Sequence, residues 1–142
     1  MIFTSFYGNM EKLIFEKNVK NSDLVVISRY FPNHFYNSDE IVDEFGNLKK
    51  PKNEFFYKSC EMLKPSLSLL WRYKNNLVSW DKYCEEFYNQ LYNLDYRFWN
   101  NFEKNFDGKV LLCYEKNFKK CHRYLVGKFF KWWSGKDIIK EI

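Results

Sequence analysis

The chain has 142 residues, 46% of them hydrophobic and 29% charged, which fits one globular domain and excludes a disordered or fibrous chain. Aromatic residues reach 22%, but with Asn and Lys they share A/T-rich codons, so a low-GC genome accounts for the excess without invoking base stacking. The net charge of +5 is uneven: residues 1–108 hold 14 Lys/Arg and 15 Asp/Glu, and residues 109–142 hold 9 and 3. The last third is therefore a basic surface able to recruit an anionic partner, or a solvated helix face.

Ile2-Phe3-Thr4 predicts a first strand, Gly8-Asn9 the turn after it, and Met10 to Lys17 a short helix. Leu24-Val25-Val26-Ile27-Ser28 is apolar and β-branched between turn signals, as a strand covered on both faces should be. Residues 34–56 are polar and broken by Gly46-Asn47 and Lys49-Lys50-Pro51, so they read as an irregular insertion or lid. Pro65 suits a first helical turn and Ser79 an N-cap. Leu67, Leu70, Trp71, then Trp80, Tyr83, Phe87 and Leu91 recur at helical spacing, until Asp107-Gly108 stops the pattern.

Val110-Leu111-Leu112-Cys113-Tyr114 predicts a second buried strand, and Cys121 to Trp133 a helix closed by Gly135. Alternating strands and helices imply one domain over residues 1–142: a compact three-layer α/β sandwich with a small, mainly parallel sheet, Rossmann-like in kind. The N-terminus lacks the pattern of a secretory signal, and no apolar run approaches the roughly 18 residues needed to span a bilayer. The four cysteines are too few and scattered for a disulfide framework. A reduced, cytoplasmic protein with no membrane association is expected.

In an open α/β sheet, ligands bind where loops converge beyond the carboxyl ends of the strands. Three such loops qualify: Thr4 to Asn9, Ser28 to Pro32, and Cys113 to Arg123. Cys113 and Glu115 share a strand face. Cys121, His122 and Arg123 fall at a helix start, where free N–H groups and the helix dipole favour anions and thiolates. Cys113, Glu115, Cys121 and His122 are thus candidate catalytic groups: thiolate nucleophile, imidazole partner and general acid or base. Thr4, Ser5, Arg29, Lys116 and Arg123 are candidate ligand-binding groups, the two arginines as a clamp for phosphate or carboxylate. Plainer roles stand beside these. Glu115 would staple strand to helix by pairing with Arg123, and the cysteines would be core residues. Cys113, Cys121 and His122 lack the paired spacing of a structural zinc site, so neither metal nor cofactor is expected. No glycine-rich phosphate loop, Gly-x-Ser-x-Gly turn or His-Glu-x-x-His helix occurs.

Thr4-Ser5-Phe6-Tyr7-Gly8-Asn9, Ile27-Ser28-Arg29 with Pro32, and Leu111-Leu112-Cys113-Tyr114-Glu115-Lys116 leading to Cys121-His122-Arg123 resemble the domain-of-unknown-function family 488. The resemblance covers most of the chain, and its specific part is the Cys-x-Glu-Lys…Cys-His-Arg pattern. It implies a compact α/β domain with a pocket at these loops, and it supplies no reaction.

Three functions compete. The first is an enzyme or binding domain for an anionic small molecule, such as a nucleotide or nucleic-acid component. The second is a non-specific nucleic-acid-binding module using Lys116, Lys119, Lys120, Lys128, Lys131 and Lys136. The third is an interaction protein presenting Phe129-Phe130 and Trp132-Trp133 to a partner.

Overall fold

A computed structural model describes residues 1–53 and 56–142. The chain runs β1 (Ile2–Phe6), α1 (Met10–Phe15), β2 (Leu24–Val26), β3 (Ser38–Glu40), β4 (Tyr57–Ser59), α2 (Leu67–Lys74) and α3 (Trp80–Tyr92). It continues through α4 (Tyr96–Asn100), α5 (Phe102–Phe106), β5 (Val110–Cys113), α6 (His122–Ser134) and β6 (Ile139–Glu141). The six strands form one sheet in the order β3-β4-β2-β5-β1-β6, and every pairing is parallel. The expected α/β sandwich is the fold observed.

The two central runs show why. Leu24, Val26, Val110 and Leu112 point to the α1 side, where they pack with Leu13, Phe35 and Tyr7. Their neighbours Val25, Ile27, Leu111 and Cys113 point the other way, into a core with Phe87, Leu91, Leu125 and Val126. Strands buried on both faces need no polar alternation, which is what the sequence of β2 and β5 reads. Each fully buried aliphatic side chain contributes about 1.5–3 kcal/mol relative to exposure.

The helices begin and end on local chemistry. Ser66 and Ser79 accept hydrogen bonds from the N–H groups of Leu69 and Lys82, capping α2 and α3. Pro65 thus lies one residue before the cap rather than inside the first turn. Gly135, at φ +75°, takes the left-handed conformation that terminates α6.

The segment 34–56 is more ordered than its composition implies. Ser38–Glu40 forms edge strand β3, paired with β4, and Ile41 and Val42 are buried. Asp39, also buried, accepts hydrogen bonds from the backbone N–H groups of Lys52 and Asn53. Gly46, at φ +80°, presses on α4, where a Cβ would meet the Phe98 Cα at 2.9 Å. Positions 54 and 55 of this segment lie outside the described residues. Among the described residues, no helix is long and apolar enough to cross a membrane.

Candidate functional site

Because all strands run parallel, their carboxyl ends share one rim of the sheet. Beyond β2 and β5, the two central strands, a small cleft opens, with a cavity volume of about 80 Å³. Ser28, Arg29 and Tyr30 enter it from β2, Cys113, Tyr114 and Glu115 from β5, and Cys121 and His122 from the start of α6. Tyr73 and Lys74 of α2 and Trp80 and Tyr83 of α3 close the opposite wall, with Lys120 beside them.

At the floor, two thiols and an imidazole meet. The Cys113 Sγ lies 3.3 Å from His122 Nε2, and the Cys121 Sγ lies 3.9 Å from His122 Nδ1. His122 Nε2–H donates to the Ile27 carbonyl at 2.5 Å, which fixes the ring and leaves Nδ1 toward Cys121. The edge of Phe87 supports the ring from behind, 5.6 Å away and at 76°. Cys113 is fully buried, whereas Cys121 retains a small opening onto the cleft.

The electrostatics separate the two thiols. Burial, with the neighbouring Cys121 sulfur adding to it, pushes Cys113 well above the usual thiol range. Cys121 is held far below that range, first by the hydrogen bond from the Cys113 thiol, then by His122 and Arg123. Cys121 is also the N-cap residue of the 13-residue α6, although its sulfur accepts no hydrogen bond from the helix N–H groups. The arrangement is two neighbouring sulfurs pushed in opposite directions, with one imidazole in reach of both.

Cys113, Cys121 and His122 each bring one potential metal-ligand atom within 4.8 Å of the others. Both sulfurs lie 3.9 Å from Nδ1, and Nε2 is committed to the Ile27 carbonyl.

The remaining sequence candidates divide. Arg29 lines the cleft, its Nε donating to the Pro65 carbonyl at 2.7 Å and its Nη1 to Glu61. Glu115 lies at the mouth, exposed and paired with Lys74 at 3.2 Å. Arg123 is fully buried and bound to Glu141 of β6, not to Glu115, from which it takes only the backbone carbonyl at 2.6 Å. Thr4 and Ser5 serve the chain end: Thr4 Oγ1 donates to Glu141 at 2.7 Å and Ser5 Oγ to the Ile142 carbonyl at 3.0 Å. Lys116 is exposed beside the cleft, and its carbonyl accepts a long contact from Arg123.

Sequence reasoning missed the aromatic wall, whose residues follow an ordinary helical core pattern. Trp80 and Tyr83 stack at 5.2 Å with 14° between planes, and Tyr73 leans on Tyr83 at 4.9 Å. The Lys120 ammonium sits 5.5 Å over the Trp80 ring. Lys131 and Lys136 are occupied by Asp137 and Glu103. Among the described residues, Lys116, Lys119 and Lys120 enter no such ion pair and stand together before α6.

No curated protein and no solved structure matches the chain. One family model does, over residues 24–134: DUF488-N3a, described as the active DUF488-N3 subclade. The matched span takes in both central strands, the aromatic wall and the whole thiol–imidazole floor. The chain belongs to the DUF488 family.

Proposed function

We propose that this chain is a thiol-dependent enzyme in which Cys121 attacks an anionic substrate carrying a planar ring, a nucleotide or a nucleic-acid component. The observation that carries the reading is the pairing of Cys121 with Cys113 and His122 at a helix start, open to a cleft. A thiolate is the nucleophilic form of cysteine, and a neighbouring donor, an imidazole and a helix N-terminus are the means of keeping it. The sulfur forms a bond to an electrophilic carbon of the substrate, and the displaced electron pair goes to that carbon's heteroatom or leaving group.

The walls suit such a ligand. The half-buried rings of Trp80 and Tyr73 offer aromatic surface to a ring, and Lys120, Lys74 and Arg29 offer positive charge near the mouth. The word active in the description of the matched subclade agrees with a catalytic role.

The test is protection of Cys121. Nucleoside monophosphates and short oligonucleotides are added while Cys121 is alkylated by iodoacetamide, and the labelled peptide is quantified. The reading predicts protection by at least one of these ligands, weakened by Trp80→Ala and by Lys120→Ala. Alkylation unaffected by every nucleotide and oligonucleotide contradicts the substrate class.

A further inference from the structure

Tyr83 is 3% exposed, and its ring is held on three sides. Trp80 stacks on it within α3, Phe87 follows at 6.2 Å and 17°, and Tyr73 reaches across from α2. Such packing leaves one orientation for the ring and hence one position for its hydroxyl. That hydroxyl makes no hydrogen bond among the described residues, although buried tyrosine hydroxyls ordinarily find a partner. Tyr7, similarly buried, obeys the rule, its hydroxyl lying 2.6 Å from Ser28 Oγ.

Among the described residues, no side-chain N or O sealed from solvent lacks a partner. The Tyr83 hydroxyl therefore belongs to the small part of the residue that opens on the cleft shared with Cys121. A well-fixed donor with nothing to donate to, beside a thiolate, is placed for a substrate atom.

We propose that the Tyr83 hydroxyl is a catalytic hydrogen-bond donor, binding the heteroatom that gains charge when Cys121 attacks a trigonal carbon. This rests on the thiolate reading of Cys121 given above, and it narrows the substrate to one with a C=O or C=N carbon. The sulfur lone pair forms the S–C bond, and the π pair of the double bond moves onto oxygen or nitrogen. That atom accepts the hydrogen bond from Tyr83, which keeps its proton. When the double bond re-forms, the pair returns to carbon and the leaving group departs with its own bonding pair. Burial, reinforced by the Cys121 and Cys113 sulfurs, keeps the phenol protonated far above neutral pH, so it remains a donor. Fixed donors aimed at a developing oxyanion act this way in other acyl-transfer sites.

Two small probes separate this role from the thiolate itself. Iodoacetamide is displaced at a saturated carbon, releasing iodide with no charge developing on oxygen. p-Nitrophenyl acetate is attacked at a carbonyl carbon: the thioester forms, p-nitrophenolate leaves, and water later releases acetate. Tyr83→Phe removes only the hydroxyl, and Cys121→Ser provides the background for both reactions. The expected result is alkylation of Tyr83→Phe within about twofold of wild type, with acylation slowed on the order of 10²-fold. Equal acylation of wild type and Tyr83→Phe overturns the donor role while the thiolate reading stands. Parallel slowing of alkylation and acylation also overturns it, since that marks a merely structural residue. A wild-type Cys121 inert to iodoacetamide overturns the thiolate reading, and the donor role with it.

Discussion

Arg123 grips Glu141 through two parallel hydrogen bonds, Nε to Oε1 at 3.0 Å and Nη2 to Oε2 at 2.8 Å. The pair ties the first turn of α6 to the last strand, and Thr4 completes it from β1 by donating to the same carboxylate. The arginine of the Cys-His-Arg pattern is fully buried, and its ion-pair partner is Glu141. Arg123→Ala leaves a partly buried carboxylate without its partner, at a cost of about 3 kcal/mol. The lower end of the range applies because Glu141 is 24% exposed. Urea unfolding reads this as a lowered midpoint with unchanged slope, and Arg123→Lys recovers part of it. A loss below about 1 kcal/mol would show that the pair is not structural.

Cys113 acts on Cys121 through its S–H, so variants at position 113 move the thiolate's titration without touching the nucleophile. Cys113→Ala removes the donor, and the Cys121 pKa rises. Less thiolate is then present near neutral pH, and alkylation becomes steeply pH-dependent there. Cys113→Ser keeps a donor and stays closer to wild type. Identical pH–rate profiles for wild type and Cys113→Ala would remove Cys113 from the account.

Asp95 supplies a pH marker far from the cleft. Its carboxylate caps α4 through the Arg97 N–H and accepts from the Arg97 guanidinium at 2.9 and 2.8 Å. The Arg97 side chain, then its backbone N–H, lowers the pKa from 3.8 to about 2. The folded value lies below the unfolded one, so the stabilisation is complete above about pH 4. It is lost as pH falls through about 2. Carboxyl NMR titration should give a midpoint near 2, moving up in Arg97→Ala and, less, in high salt.

The parts of the fold legible in the sequence are those set by apolar burial. β2 and β5 read directly because Leu24–Val26 and Val110–Cys113 are covered on both faces. α3 and α6 read from their stripes, capped by Ser79 and closed by Gly135. β3 was illegible because its buried central residue is Asp39, satisfied by two backbone N–H groups some dozen positions on. β6 was illegible because three residues, Ile139–Glu141, gain their place from pairing with β1 at the opposite end of the chain. Without β6 the partner of Arg123 was invisible, and Glu115 was the nearest carboxylate in sequence.

The site was legible in the same measure. The meeting of Cys113, Cys121 and His122 followed from a strand handing over to a helix start. The opposite wall did not follow, because Trp80, Tyr83 and Phe87 fit a core stripe as well as a binding face. The one signal for Tyr83 was chemical: a hydroxyl on a stripe that otherwise needs none.

The proposed chemistry requires Cys121 to be a thiolate at neutral pH. Its alkylation by iodoacetamide, followed peptide by peptide from pH 5 to 9, tests this most directly, with Cys84 as internal reference. Burial raises the Cys84 thiol above its ordinary range, so its labelling should climb with pH throughout. The account predicts a Cys121 rate nearly flat from pH 5 to 8 and exceeding that of Cys84. A Cys121 rate rising about tenfold per pH unit toward pH 8.5, as an unperturbed thiol's does, would contradict it.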